Sequence, residues 1–145
     1  MKVVVQRVSS ASVQVAGECV GEIGTGLLVL LGLDRGDDRA AAQRMLERLL
    51  VYRLFADEAG RMNRSVTDIG GGVLLVSQFT LSADTGKGLR PGFSRAMPPE
   101  EARLLYQFTL DELRRRHGPV AAGVFGADMQ VSLVNDGPVT FILEG

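Results

Sequence analysis

The sequence predicts an α+β fold, a mainly antiparallel curled sheet of barrel-like character with two helices laid on it. Three observations carry this expectation. Short β-branched runs at residues 3–5, 13–15, 20–23 and 27–31 follow one another with only turn signals between them. Two amphipathic stretches with helix start and stop residues come later. Eighteen glycines and five prolines in 145 residues supply the tight turns such a chain needs. The alternative, α/β, requires helix-length crossovers that the first four strands lack.

The elements follow in order. Ser9-Ser10, Ala16-Gly17 and Gly24-Thr25-Gly26 separate the opening strands, which read as sequential and antiparallel. Asp37-Asp38 then places carboxylates at a helix N-terminus, and Ala42, Leu46, Leu49, Leu50 and Leu54 recur at helical spacing. Residues 57–63 form a polar turn, and a strand over 73–79 is entered through Gly70-Gly71-Gly72. Residues 82–98 are glycine-rich and basic, with Lys87, Arg90 and Arg95, and read as a surface loop over a site. Pro98-Pro99-Glu100-Glu101 opens a second helix with an inward stripe of Ala102, Leu105, Tyr106, Thr109 and Leu113. Arg114-Arg115-Arg116-His117 suits its negative end, and Gly118-Pro119 stops it. Strands over 129–134 and 139–143 close the chain. No repeat or linker divides it, so residues 1–145 read as a single domain.

Composition narrows the function. Apolar residues make up 46% and charged residues 23%, which suits a water-soluble globular domain. A net charge of −1 argues against a protein that coats long nucleic acid, so any RNA contact is expected to be local. The opening apolar run, Val3-Val4-Val5, is too short and too soon interrupted by Gln6-Arg7 for a signal peptide, and the longest apolar run, 27–33, is far too short to span a membrane; a cytosolic location is expected. Cys19, the single cysteine, has no disulfide partner and reads as buried and structural. There is no His-Glu-x-x-His, Cys-x-x-Cys or dense carboxylate loop, and no metal or other cofactor is expected.

The usual catalytic side chains are missing as well. His117, the only histidine, falls in the last turn of a helix and reads as a solvated cap, which leaves no Ser/His/Asp triad and no thiol–imidazole pair. Gly70-Gly71-Gly72 lacks the lysine and hydroxyl of a phosphate loop and precedes a strand, so it reads as a flexible turn. Two polar segments remain. Ser77-Gln78-Phe79-Thr80 ends an apolar strand, where backbone N–H groups either leave the ladder to stabilise an oxyanion or simply close a turn. Asn135-Asp136-Gly137-Pro138 is either a β-turn between the last two strands or, because Gly-Pro bonds adopt the cis form at modest cost, a rigid backbone element of unusual shape.

At these two segments the chain resembles the D-aminoacyl-tRNA deacylase family, also known as D-tyrosyl-tRNA deacylases. Ser77-Gln78-Phe79-Thr80-Leu81 matches its first motif and Asn135-Asp136-Gly137-Pro138-Val139-Thr140 its second. Supporting similarity runs through Val5-Gln6-Arg7-Val8-Ser9-Ser10-Ala11-Ser12-Val13, Arg90-Pro91-Gly92-Phe93-Ser94 and Phe125-Gly126-Ala127-Asp128-Met129.

The resemblance implies a homodimer with composite active sites that hydrolyses the ester of D-aminoacyl-tRNA, an activity of chiral proofreading in translation quality control. Gly137 and Pro138 would enter the partner's pocket as a Gly-cisPro element, with carbonyl oxygens facing the substrate's α-amino group and no room for an L side chain. Glycyl-tRNA would then be admitted. Ser77, Gln78, Phe79 and Thr80 would form the catalytic segment, with main-chain N–H groups on the oxyanion and the ribose 2′-hydroxyl assisting water; Thr80 as a covalent nucleophile ranks second. Arg7 would brace the Gly-Pro loop through a carbonyl, or else sit as a surface residue on an edge strand. Phe125 and Met129 would line an adenosine pocket, and the three cations of the 82–98 loop would meet acceptor-end phosphates. Two rivals are a related deacylase of L-alanyl-tRNA, whose first motif begins with proline and lacks the phenylalanine, and a non-catalytic dimeric binder of tRNA ends.

Overall fold

A computed structural model describes residues 1–145. In chain order the elements are β1 (Lys2–Val15), β2 (Glu18–Ile23), β3 (Gly26–Gly32), α1 (Arg39–Val51), β4 (Phe55–Ala56), β5 (Met62–Arg64), α2 (Val66–Ile69), β6 (Gly72–Ser77), a 3-10 turn (Phe79–Ser82), α3 (Pro99–Arg116), β7 (Val120–Ala122) and β8 (Gln130–Glu144). No helix is long and apolar enough to cross a membrane.

The expected separation of residues 3–5 from 13–15 does not occur, because β1 is one long strand that shares one edge between two partners. Lys2 to Val8 pair with β3, Ala11 to Val15 pair with β2, and the opposite edge pairs with β8, all antiparallel. Ser9 is the reason that Ser9-Ser10 looked like a break. It is one extra residue against β8, where Val8 faces Asn135 and Ser10 faces Val134. Such a bulge shifts the side-chain parity, so Val8, Ala11 and Val13 point into one buried cluster while Val3 and Val5 point into another.

The sheet is also less purely sequential than expected. β6 lies parallel to β3, and β7 lies parallel to β6, giving the order β2-β1-β3-β6-β7 with β8 on the other edge of β1. Parallel pairing requires crossovers, and α1 with α3 supply them. Strands β3 and β6 are buried on both faces, which accounts for their unbroken apolar runs. A Cβ added to Gly21 on β2 would sit 2.7 Å from the Ala122 carbonyl oxygen of β7. The two ends of the strand order therefore touch, and the curled sheet nearly closes into a barrel.

Both long helices lie where the sequence places them, except that α1 stops at Val51 and Leu54, expected on its stripe, is buried from the extended segment that follows. Asp38 caps α1 by accepting from the Ala41 N–H, and Ala42, Leu46, Leu49 and Leu50 are buried with Met45. The expected α3 stripe is buried in full and extended by Leu110. A third helix, α2, was not expected. It is one turn long and held by a capping box in which Ser65 and Asp68 exchange hydrogen bonds. Gly70 ends it in the left-handed region and Gly71 and Gly72 are buried, so the triple glycine is a fixed joint and not a flexible turn.

His117 is only half-buried, but it is not a solvated cap. Its ring Nε2 lies 2.7 Å from the Gly71 carbonyl and fastens the end of α3 to the entry of β6. Cys19 is exposed, against the expectation of burial, because it lies in a stretch of β2 that covers no core.

Candidate active site

Where β6 ends, the chain turns sharply. Gln78 donates its N–H to the Leu31 carbonyl as the last rung of the β3–β6 pairing, and Phe79 begins the 3-10 turn. Gly32 permits the close approach, since a Cβ there would meet Leu81 Cβ at 2.7 Å and the Gln78 carbonyl at 3.2 Å. The first donors of a helical turn have no carbonyl behind them inside the turn. Accordingly, the N–H groups of Phe79 and Thr80 donate to no loop, cap or side-chain acceptor.

Below this turn opens a cavity of about 450 Å³. Ser77, Gln78 and Phe79 form one wall, Phe125 and Met129 another, and Val76 and Val131 add apolar surface. Phe125 and Met129 are thus cavity residues and not sealed core. Phe125 packs on Tyr106 of α3, with ring centroids 5.7 Å apart. The Tyr106 hydroxyl donates to the Leu75 carbonyl at 3.1 Å, and the Gly123 N–H meets the same oxygen at 3.0 Å. Burial pushes the Tyr106 hydroxyl up to about 12, against a weaker opposing pull from Arg114.

Thr80 stands beside the cavity and does not line it. Its hydroxyl accepts a 2.6 Å hydrogen bond from Gln78 Nε2. Phe79 is 58% exposed, and its ring packs against Phe93 at 5.2 Å. That contact places Phe93 of the 82–98 loop against the cavity rim. The loop is closed by reciprocal bonds between Asp84 and Gly92, with N–O distances of 2.7 and 2.9 Å, and is anchored where Arg35 Nε donates to the Ser94 carbonyl. Lys87, Arg90 and Arg95 are all exposed on it.

A second cluster forms on β8, apart from the cavity lining. The segment 135–138 is not a reversal between two strands. β8 pairs with β1 on both sides of it, Gln6 facing Thr140 and Val8 facing Asn135, so the four residues 136–139 bulge out opposite Arg7 alone. Gly137 and Pro138 are exposed, and the bond between them is cis. Gly137 has φ +148°, and an added Cβ would lie 2.6 Å from Val139 Cγ2 and 2.8 Å from the Val139 nitrogen. Only glycine fits without displacing the bulge.

Arg7 is not on an edge strand, and its side chain is 15% exposed. Its Nε donates to the Asp136 carbonyl at 2.9 Å and its NH1 to the Leu54 carbonyl at 2.8 Å, tying the bulge to the segment before β4. Asn135, which the sequence reading treated only as part of a motif, makes three further bonds across the bulge. No cluster of three His, Cys, Asp or Glu side chains is placed to hold a metal ion.

This geometry has close relatives. The family described as D-Tyr-tRNA(Tyr) deacylase matches residues 4–144. D-aminoacyl-tRNA deacylase of Stutzerimonas stutzeri is 61% identical over 144 residues, covering 99% of both chains. The protein of that name from Variovorax paradoxus is 60% identical over the same length and coverage. Among solved structures, one described as c-Myc DNA Unwinding Element Binding Protein superposes with a TM-score of 0.95 at 45% identity, covering 100% of this chain and 99% of its own. The chain belongs to the D-aminoacyl-tRNA deacylase family, hydrolases of the ester bond between a D-amino acid and tRNA.

Proposed function

We propose that the chain works as a cytoplasmic homodimer in which each cavity receives the Gly137–Pro138 bulge of the other subunit. The observation that carries this reading is a mostly apolar cavity lined by Phe79, the first of two consecutive residues, Phe79 and Thr80, whose N–H groups have no loop or cap acceptor. Such donors suit the negative oxygen that develops when water attacks an ester carbonyl, and being part of a fixed turn they need no reorganisation. The terminal adenosine lies against Phe125 and Met129, and Lys87, Arg90 and Arg95 meet nearby phosphates of the acceptor end. Water adds to the carbonyl carbon, the bond to the ribose oxygen breaks, and the neighbouring 2′-hydroxyl relays the proton.

Dimerisation is supported by β8, whose outer edge has no partner strand and which exposes Val134, Phe141 and Ile142. In the second subunit's cavity the main-chain carbonyls of the bulge accept hydrogen bonds from the substrate's α-ammonium. They occupy the space that an L side chain needs, so D-esters react and L-esters are rejected, while glycyl-tRNA, with no side chain, is admitted. The experiment is release of amino acid from D-tyrosyl-, L-tyrosyl-, glycyl- and L-alanyl-tRNA. Turnover of the first and third alone is expected; hydrolysis of L-alanyl-tRNA in preference to D-tyrosyl-tRNA would replace this reading with its L-specific rival.

A further inference from the structure

A bulge that inspects handedness must hold its shape without a ladder of its own. Four residues, 136–139, stand opposite one, Arg7, so the regular pairing between β1 and β8 is interrupted there. Arg7 reaches only the first of the four, at the Asp136 carbonyl. The return limb is held from elsewhere. Asn135 Oδ1 accepts the Val139 N–H at 2.7 Å, and its Nδ2 donates to the Val139 carbonyl at 3.3 Å and to Thr140 Oγ1 at 3.0 Å.

These three bonds join the residue before the bulge to the two residues that end it. A carboxamide presents one acceptor and one two-proton donor side by side, and Asn135 uses both on the backbone of Val139. It thereby substitutes for the strand partner that Val139 lacks. The Val139 N–H and carbonyl decide which way the amide faces, and the Thr140 hydroxyl, by accepting a proton of Nδ2, holds it there. Aspartate would keep the acceptor and lose the donor; alanine would lose both.

We infer that Asn135, held by Thr140, is a positioning residue that clamps the base of the Gly137–Pro138 bulge and thereby sets the stringency of D/L discrimination. The inference rests on the proposed role of the bulge and deepens it. Asn135 touches no reacting atom. Loosening the clamp frees the return limb by a rotation about the Arg7 anchor, and the space denied to an L side chain opens part of the time.

The test compares kcat/KM for D-tyrosyl- and L-tyrosyl-tRNA in the wild type, Asn135→Ala, Asn135→Asp, Thr140→Val and Thr140→Ser, with folding checked by thermal unfolding. The D/L ratio is expected to fall at least tenfold in Asn135→Ala, less in Asn135→Asp and Thr140→Val, and to stay at the wild-type value in Thr140→Ser, which keeps the hydroxyl. A stable Asn135→Ala protein with an unchanged ratio overturns the clamp alone. So does a Thr140→Ser protein as lax as Thr140→Val. Should Asn135→Ala fail to fold, the Thr140 pair decides by the same criterion. A wild-type protein without preference for the D-ester removes the reading on which the clamp rests.

Discussion

The hydrogen bond from Gln78 Nε2 to Thr80 Oγ1 decides what that hydroxyl can do. An oxygen that accepts a strong hydrogen bond is a poorer nucleophile, and no carboxylate or imidazole is bonded to Thr80 to take its proton. The neighbouring N–H groups, by contrast, have no loop or cap acceptor. Replacing the side chain leaves them in place. Thr80→Ala should therefore retain kcat to within about tenfold of the wild type, measured in single-turnover deacylation of D-tyrosyl-tRNA. Near-complete loss with intact substrate binding would instead restore the threonine to the role of nucleophile. The same contrast explains what was readable at this scale. The absence of a triad is visible in a composition with one histidine, and it steers the search toward the main chain. Side-chain partners such as Asn135 with Val139 and Thr140 are not visible, because a motif gives residue types and not the bonds between them.

Elements meet around the cavity through a few anchored points, and Tyr106 is the most informative. Its ring braces Phe125 and its hydroxyl ties α3 to β6 two residues before Ser77. Burial raises the folded-state value of this group from 10.0 to about 12. A raised value means that its contribution to stability is complete below pH 10 and is lost as pH climbs through the folded value near 12. Tyr106→Phe should cost about 1 kcal/mol at neutral pH, since the Leu75 carbonyl keeps its bond from Gly123. The mutant should also lose less stability between pH 9 and 11 than the wild type does, as measured by urea unfolding; equal losses would show that Tyr106 ionisation plays no part. The stripe that buries Tyr106 is legible as helical spacing, and both long helices are legible, although Leu54, read on the stripe of the first, lies three residues beyond its end. The short α2 escapes a periodicity search because four residues hold barely one turn, although the Ser65 and Asp68 capping pair was there to be read. The short β4, β5 and β7 were missed because two or three residues hold no alternation, whereas the two long strands read as pairs, β1 and β8, share one cause. Extra residues at Ser9 and at 136–139 break the alternation in the sequence without breaking the strand.

At the scale of the whole molecule, the proposed dimer follows from two separate clusters on one chain. The cavity and its donors lie in one cluster, and Arg7, Gly137 and Pro138 form another that takes no part in lining it. The order of the sheet was legible only in part, because the parallel placement of β6 and β7 depends on where α1 and α3 return the chain, and no local signal records that. Composite assembly makes a prediction that no single-chain site shares. Phe79→Pro removes a rim donor while leaving the bulge intact, and Gly137→Ala distorts the bulge by crowding Val139 while leaving the rim intact. Each variant alone should be nearly inactive on D-tyrosyl-tRNA. When the two are unfolded together, refolded and allowed to pair at random, half of the dimers carry both variants, and each of these has one site with an intact rim and an intact bulge. Activity should return to about a quarter of the wild-type level. A mixture as inactive as its two components would show that no subunit lends its bulge to the other.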